Sequence, residues 1–159
     1  MTGPRQQANV RVLIATALSA LLAACKPAPP PTVDALHFPV VVAWESGIVR
    51  HDDGADLRSM STQRVINAKA PPFLVDSNLD VYRLDKLQSV HGGMWLMANP
   101  SGNGEVSFEL ARIAQGDAAQ ARTLMAASDW HIREGKDEDA RARLAQANTL
   151  AEMLAALER

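Results

Sequence analysis

Apolar residues come in short bursts through the first two thirds of the chain and take up a helical spacing in the last third. His37-Phe38-Pro39-Val40-Val41-Val42-Ala43-Trp44 is a β-branched apolar run. It predicts a strand with Pro39 near its start or on an edge. Glu45-Ser46-Gly47 predicts a turn, Ile48-Val49-Arg50 a short return strand, and His51-Asp52-Asp53-Gly54 a second turn. Residues 56–68 read two ways. Leu57, Met60, Arg64 and Val65 fit a short helix, whereas Arg64-Val65-Ile66-Asn67 fits a strand, and Ala70-Pro71-Pro72 ends any helix. Phe73-Leu74-Val75 and residues 79–84 flank Asp76-Ser77-Asn78, which predicts strand, turn, strand. A further hairpin is expected from the apolar run at residues 94–98, the turn formers at 99–104, and residues 105–110. There Val106, Phe108 and Leu110 share a face.

From Gly116 the period becomes helical. Asp117 suits an N-cap, and Ala118, Ala121, Leu124 or Met125, Ser128 and Ile132 share a face. Gly135 suits the left-handed position that closes a helix. Asp137-Glu138-Asp139 then places three acids at a helix start, and Asp137 with Arg141 and Asp139 with Arg143 have pairing spacing. Ala140, Leu144, Ala147, Leu150, Ala151, Leu154 and Leu157 form one continuous stripe. The expected fold is therefore α+β: a small antiparallel β-sheet over about residues 36–113, followed by a C-terminal antiparallel helical hairpin.

The length of 159 residues suits one domain, at most one plus a small appendage. One cysteine excludes an internal disulfide framework, a multi-cysteine zinc ribbon and an iron–sulfur site. A net charge of −2 gives no nucleic-acid signal.

The N-terminus departs from the rest. Arg5 and Arg11 precede an apolar run at residues 12–22, too short for the roughly 20 residues that span a bilayer. A basic stretch followed by a short apolar one is the pattern of a secretory signal. The run ends in Leu22-Ala23-Ala24-Cys25, an aliphatic residue and two small ones before the sole cysteine. This resembles the lipobox of bacterial lipoproteins. The resemblance implies signal cleavage between Ala24 and Cys25 and lipid on the Cys25 sulfur, so that the chain would be held in a lipid bilayer. Two or three long acyl chains give lasting attachment where one myristoyl chain does not. Residues 1–24 would be the removed signal. Residues 25–32, with four prolines, would be a lipidated extended tether, and 33–159 one domain. Lys26 in place of an aspartate after the cysteine implies, by the same resemblance and for a Gram-negative host, the periplasmic face of the outer membrane. Loss of Arg5 and Arg11 takes the net charge to −4, which suits a soluble domain that does not lie flat on anionic lipid.

Candidate chemistry is sparse. The chain has no G-x-S-x-G, H-E-x-x-H, P-loop or dinucleotide fingerprint, and no cofactor is expected. His51-Asp52-Asp53-Gly54-Ala55-Asp56 offers oxygens and an imidazole in one turn, without the spacing of a calcium loop, so no metal site is assigned. His91-Gly92-Gly93 offers a proton donor beside a backbone that a ligand can approach closely. Glu105 and Glu109 fall on an outer strand face. Of the tryptophans, Trp44 and Trp95 are expected in the core and Trp130 at the surface. Gly116-Asp117-Ala118-Ala119-Gln120-Ala121-Arg122 resembles part of a tetratricopeptide unit. A single repeat cannot bury its own face, and no second copy follows.

The function expected from these residues is that of a lipid-anchored protein-binding module, an envelope assembly accessory or an inhibitor. Its partner would be an envelope or secreted protein, contacted through Trp130 and His91. An envelope hydrolase using His91, and self-association through the C-terminal stripe, are the alternatives.

Overall fold

Three consecutive valines open the sheet. The computed structural model describes residues 29–91 and 102–158. The expected signal, the Ala24–Cys25 junction, Gly92-Gly93, the strand at residues 94–98 and Trp95 lie outside them. After a 3₁₀ turn at Val33–Ala35, strand β1 (Val40–Trp44) forms a hairpin with β2 (Gly47–His51). Trp44 stands opposite Gly47 across a two-residue turn, and Gly47 takes φ 133°, a conformation that side chains resist. Every residue of β1 is buried. Val41 packs towards the C-terminal helices, while Val40, Val42 and Trp44 pack on the opposite side. Both faces are covered, so β1 shows no polar alternation.

The ambiguous stretch is helical and extended in turn: helix α1 (Gly54–Leu57), β3 (Ser59–Ser61) and α2 (Thr62–Asn67). Strands β4 (Phe73–Val75), β5 (Val81–Ser89) and β6 (Asn103–Ala114) complete an antiparallel sheet in the order β2-β1-β4-β5-β6-β3. The first residues of β6 pair with β3 and the remainder with β5. Along one edge β6 pairs with β5, through Val81 to Ser89. Alternation along β6 holds as read, with Val106 and Leu110 buried and Glu105 and Glu109 exposed. The sheet curls around one core of Val42, Leu57, Met60, Leu74, Tyr82 and Leu84. Its outer face meets the helices through Val41, Val75, Leu79 and Val81.

A buried polar knot holds the β4–β5 turn. Asp76, fully buried, accepts from the backbone N–H groups of Asn78 and Asp80 at 3.0 Å and of His37 at 3.3 Å. Asp80 in turn accepts from Gly116 N–H at 2.9 Å and from the Tyr82 hydroxyl at 3.3 Å. Burial, and then the Asp76 carboxylate, push the Tyr82 hydroxyl above its usual pKa. The knot ties the chain entry, the turn and the passage into the helices to one another.

The helical layer follows the expected architecture with each arm of the hairpin interrupted. Helix α3 (Ala118–Ser128) starts at Asp117, whose carboxylate accepts from Gln120 N–H. It stops at Asp129, which caps a separate short helix, α4 (Trp130–Arg133), by accepting from Ile132 N–H. Gly135, at φ 68°, closes α4. Its N–H reaches Ile132 O at 3.1 Å, and Lys136 N–H reaches His131 O at 2.8 Å, the paired bonds of a left-handed helix end. The second arm divides into α5 (Glu138–Gln146) and α6 (Leu150–Leu157). Thr149 and Glu152 form a reciprocal capping box there, and the Asn148 and Thr149 N–H groups hold the Glu152 carboxyl below the usual carboxylate range. The break rephases the stripe. Ala140, Leu144, Ala147 and Leu150 are buried and Leu154 and Leu157 pack half-buried on the same core, as expected, but Met153 and Ala156 turn fully inward and Ala151 is exposed.

Arg143 is engaged by a carbonyl rather than by Asp139. Arg141 sits 3.5 Å from Glu138 and donates to Ile132 O, and Arg143 donates to Ala156 O at 3.0 Å. Carbonyls at helix ends lack intrahelical partners, and these two arginines satisfy them. Among the described residues no helix is long and apolar enough to cross a membrane.

Candidate functional site: a cleft where the sheet edges meet

Strands β2 and β3 are the two edges of the sheet, yet both line one cavity of about 270 Å³. Curling brings them face to face. β2 contributes Val49, Arg50 and His51; β3 contributes Ser59, Met60 and Ser61; Trp44, Asp56, Arg64 and Asn103 complete the lining. A second hollow of about 360 Å³ adjoins it, sharing Trp44, Ser61 and Arg64.

Register explains how the polar groups come inside. His51 pairs with Val40, and Trp44 lies four residues further along β1, on the same face as Val40. Both side chains therefore point into the curl, and both are only 4% exposed. Arg64 comes from α2, directly after β3 has paired with β6.

Four buried side-chain polar atoms among the described residues have no hydrogen-bond partner: Trp44 Nε1, His51 Nδ1, His51 Nε2 and Arg64 Nη1. All four belong to side chains that line this cleft. His51 Nδ1 is 3.2 Å from Asp56 Oδ2, but the direction of approach is wrong for a hydrogen bond. An unmatched buried donor costs about 1–3 kcal/mol, and more when it is charged. Such atoms are few in native proteins, and here all of them belong to side chains around one cleft. Indole and guanidinium nitrogens only donate, and the imidazole both donates and accepts. The cleft is therefore suited to an acceptor-rich group.

The acids of the neighbouring turn are engaged elsewhere. Asp53 caps α1 by accepting from Ala55 and Asp56 N–H, and Asp52 holds Arg50 at 2.7 Å. No group of three or more metal-binding side chains occurs among the described residues; His51 itself lies beside Asp56, with Nδ1 3.2 Å from Oδ2. The carboxylates of Asp53 and Asp52 are thus serving a helix start and an ion pair, while that of Asp56 stays beside His51.

The other residues singled out from sequence lie apart from the cleft. His91 is half exposed at the end of β5, with Nε2 3.8 Å from Glu105 Oε2. Glu109 pairs with Lys86 at 2.7 Å on the outer face. Trp130 is 46% exposed, with Lys136 Nζ 3.7 Å from its ring centre and the His131 ring edge-on to it. A cation over an indole face steadies both partners. Trp44 is in the core as expected, and it also supplies an unmatched donor. Sequence reasoning passed over Trp44 and Arg64 as site residues. Comparison of the chain with protein-family models, curated proteins and solved structures gives no match, and the site is read from its own geometry.

Proposed function

We propose that the chain is an envelope lipoprotein, anchored through Cys25, whose folded domain is a binding module with the cleft between β2 and β3 as its ligand site. The observation that carries the reading is that four unmatched buried polar atoms belong to three side chains that line this one cleft. A partner that supplies acceptors there gains hydrogen bonds that the domain alone leaves unmade. Leu22-Ala23-Ala24-Cys25 supports the anchor, and the proline-rich tether after it reaches roughly 20 Å at about 3.1 Å per residue, enough to hold the cleft clear of headgroups. A sheet-edge cleft on such a tether favours an envelope or secreted protein partner, or a small ligand of the same compartment. Binding is favoured over hydrolysis because Ser59 and Ser61 line the cleft while neither hydroxyl bonds His51, so no activated nucleophile is assembled there. His91 with Glu105 is a surface pair with both members well exposed, which gives a hydrolase little shelter from water.

The test uses the full chain in a Gram-negative cell, with a photo-cross-linking residue at Asn103 on the cleft rim or at exposed Gln115 as control. Radiolabelled palmitate is expected on the wild-type chain and absent from Cys25→Ala. Cross-links to a discrete species are expected from Asn103 only. An unlabelled wild-type chain defeats the anchor, and equal cross-linking from both positions defeats the cleft.

A further inference from the structure

We infer that the cleft recognises a monoanionic carboxylate on a short apolar stem; the inference rests on the reading of the cleft as the ligand site. Its charge balance sets the sign. Arg50 lines the cleft but is already paired with Asp52 at 2.7 Å. Arg64 has a fully enclosed nitrogen with no partner, so its positive charge is the one left to be matched. Trp44 Nε1 adds a neutral donor, and His51 can add another. A guanidinium nitrogen and an indole N–H together suit the two oxygens of a carboxylate.

Asp56 sets the limit on charge. Its carboxylate lines the same cavity and accepts from Asp52 N–H at 3.2 Å. Arg64 and Asp56 sum to zero, so one added negative charge held against Arg64 is the most the cleft takes, and a phosphate dianion meets repulsion. Size sets the rest. A volume of 270 Å³ equals on the order of nine liquid waters, at the lower end of small-molecule sites. Val49, Met60 and the Trp44 ring supply apolar wall for a few carbons. A short aliphatic acid fits that description, and so does the C-terminal residue of a polypeptide. The recognition chemistry is the same for both.

The experiment titrates the full acylated chain in detergent, following the Trp44 indole N–H resonance, assigned from its loss in Trp44→Phe. The probes are butyrate, butyramide, inorganic phosphate, and a tetrapeptide ending in valine with a free or an amidated C-terminus. Butyrate, the free-acid peptide, or both are expected to shift the resonance saturably. The amides and phosphate are expected to bind at least about tenfold more weakly, the effect of losing one charge-assisted hydrogen bond. Arg64→Gln is expected to weaken the acid about tenfold or more, with Arg64→Lys recovering part of the loss. A response to butyrate alone identifies a free small acid, and a response to the free-acid peptide alone identifies a partner's tail. Where Arg64→Gln does not fold, the same comparison of acid with amide is made on Trp44→Phe by calorimetry, with weaker acid binding expected. Equal binding of acid and amide, or no response to any acid, overturns the carboxylate assignment. Persistent cross-linking from Asn103 in that case would leave the binding module standing, whereas its absence as well would remove both.

Discussion

Asp76→Ala lowers the unfolding free energy of the domain by about 3 kcal/mol in urea denaturation, because it strands buried N–H groups that bonded to a charged acceptor. Asp76 is wholly enclosed, and three backbone donors converge on its two oxygens. Two of them, from Asn78 and Asp80, shape the β4–β5 turn, and the third, from His37, fastens the chain entering β1. Leu79 is held at φ 65° inside this turn, a conformation that a leucine adopts only where its surroundings enforce it. Asp76→Asn keeps one acceptor oxygen but turns an amide donor towards a donor, so it is expected to lose about half as much. The knot also includes Asp80, which accepts from Gly116 N–H at the start of the helical layer. Damage at Asp76 therefore spreads into both layers. A loss for Asp76→Ala below about 1 kcal/mol, the net value of one ordinary hydrogen bond, would show that these donors find other acceptors.

Leu57→Ala is expected to cost a similar amount, about 3 kcal/mol, and to weaken ligand binding at the cleft as well. Leu57 is the last residue of α1 and is fully buried inside the curl, in one cluster with Trp44, Met60 and Tyr82. Its neighbour Asp56 lines the cleft, and Ser59 and Met60 follow two and three residues later. A cavity at Leu57 loosens the segment that brings β3 to β6 and thus the edge facing β2. Leu57→Met, which nearly conserves volume, is expected to cost less than about 1.5 kcal/mol. Urea unfolding of the three proteins, with a carboxylate titration of each, tests both parts. Unchanged binding in a destabilised Leu57→Ala would show that the cleft does not depend on α1.

Much of the fold is legible because local signals and packing agree. Val40-Val41-Val42 before Gly47 makes a hairpin, Asp76-Ser77-Asn78 makes the β4–β5 turn, and Asp117 and Gly135 mark helix ends as their chemistry dictates. The two helix breaks were hidden for a physical reason. The 3.6-residue stripe runs on through Ala147 to Leu150, and periodicity is blind to an interruption whose phase shift shows only beyond that point. Thr149-x-x-Glu152 carried the missing information, since a capping box needs a helix start at that point. Residues 56–68 could not be read because β3 is only three residues long and owes its form to pairing with Ser61↔Asn103 and its neighbours, far along the chain.

The cleft was least legible. His51 looked like part of an exposed acidic turn, but the register of β2 points it inward. Trp44 looked like simple core. Arg64 sat in the ambiguous stretch, with no sequence neighbour to suggest that one of its nitrogens would be enclosed and unmatched. The signal is the meeting of three separate elements at the two sheet edges. It exists only after the sheet has curled.

The central claim is that the domain holds unmatched polar groups in the cleft at a cost in stability, for an outside ligand to satisfy. Urea unfolding of Arg64→Met against wild type, without ligand, tests it most directly. Methionine covers similar apolar surface without the enclosed charged nitrogen. The account predicts a variant more stable by about 1 kcal/mol, the least penalty of an unmatched buried donor, with carboxylate binding lost. A variant less stable by that amount would mean that Arg64 has a structural partner in the folded domain, and would contradict the account.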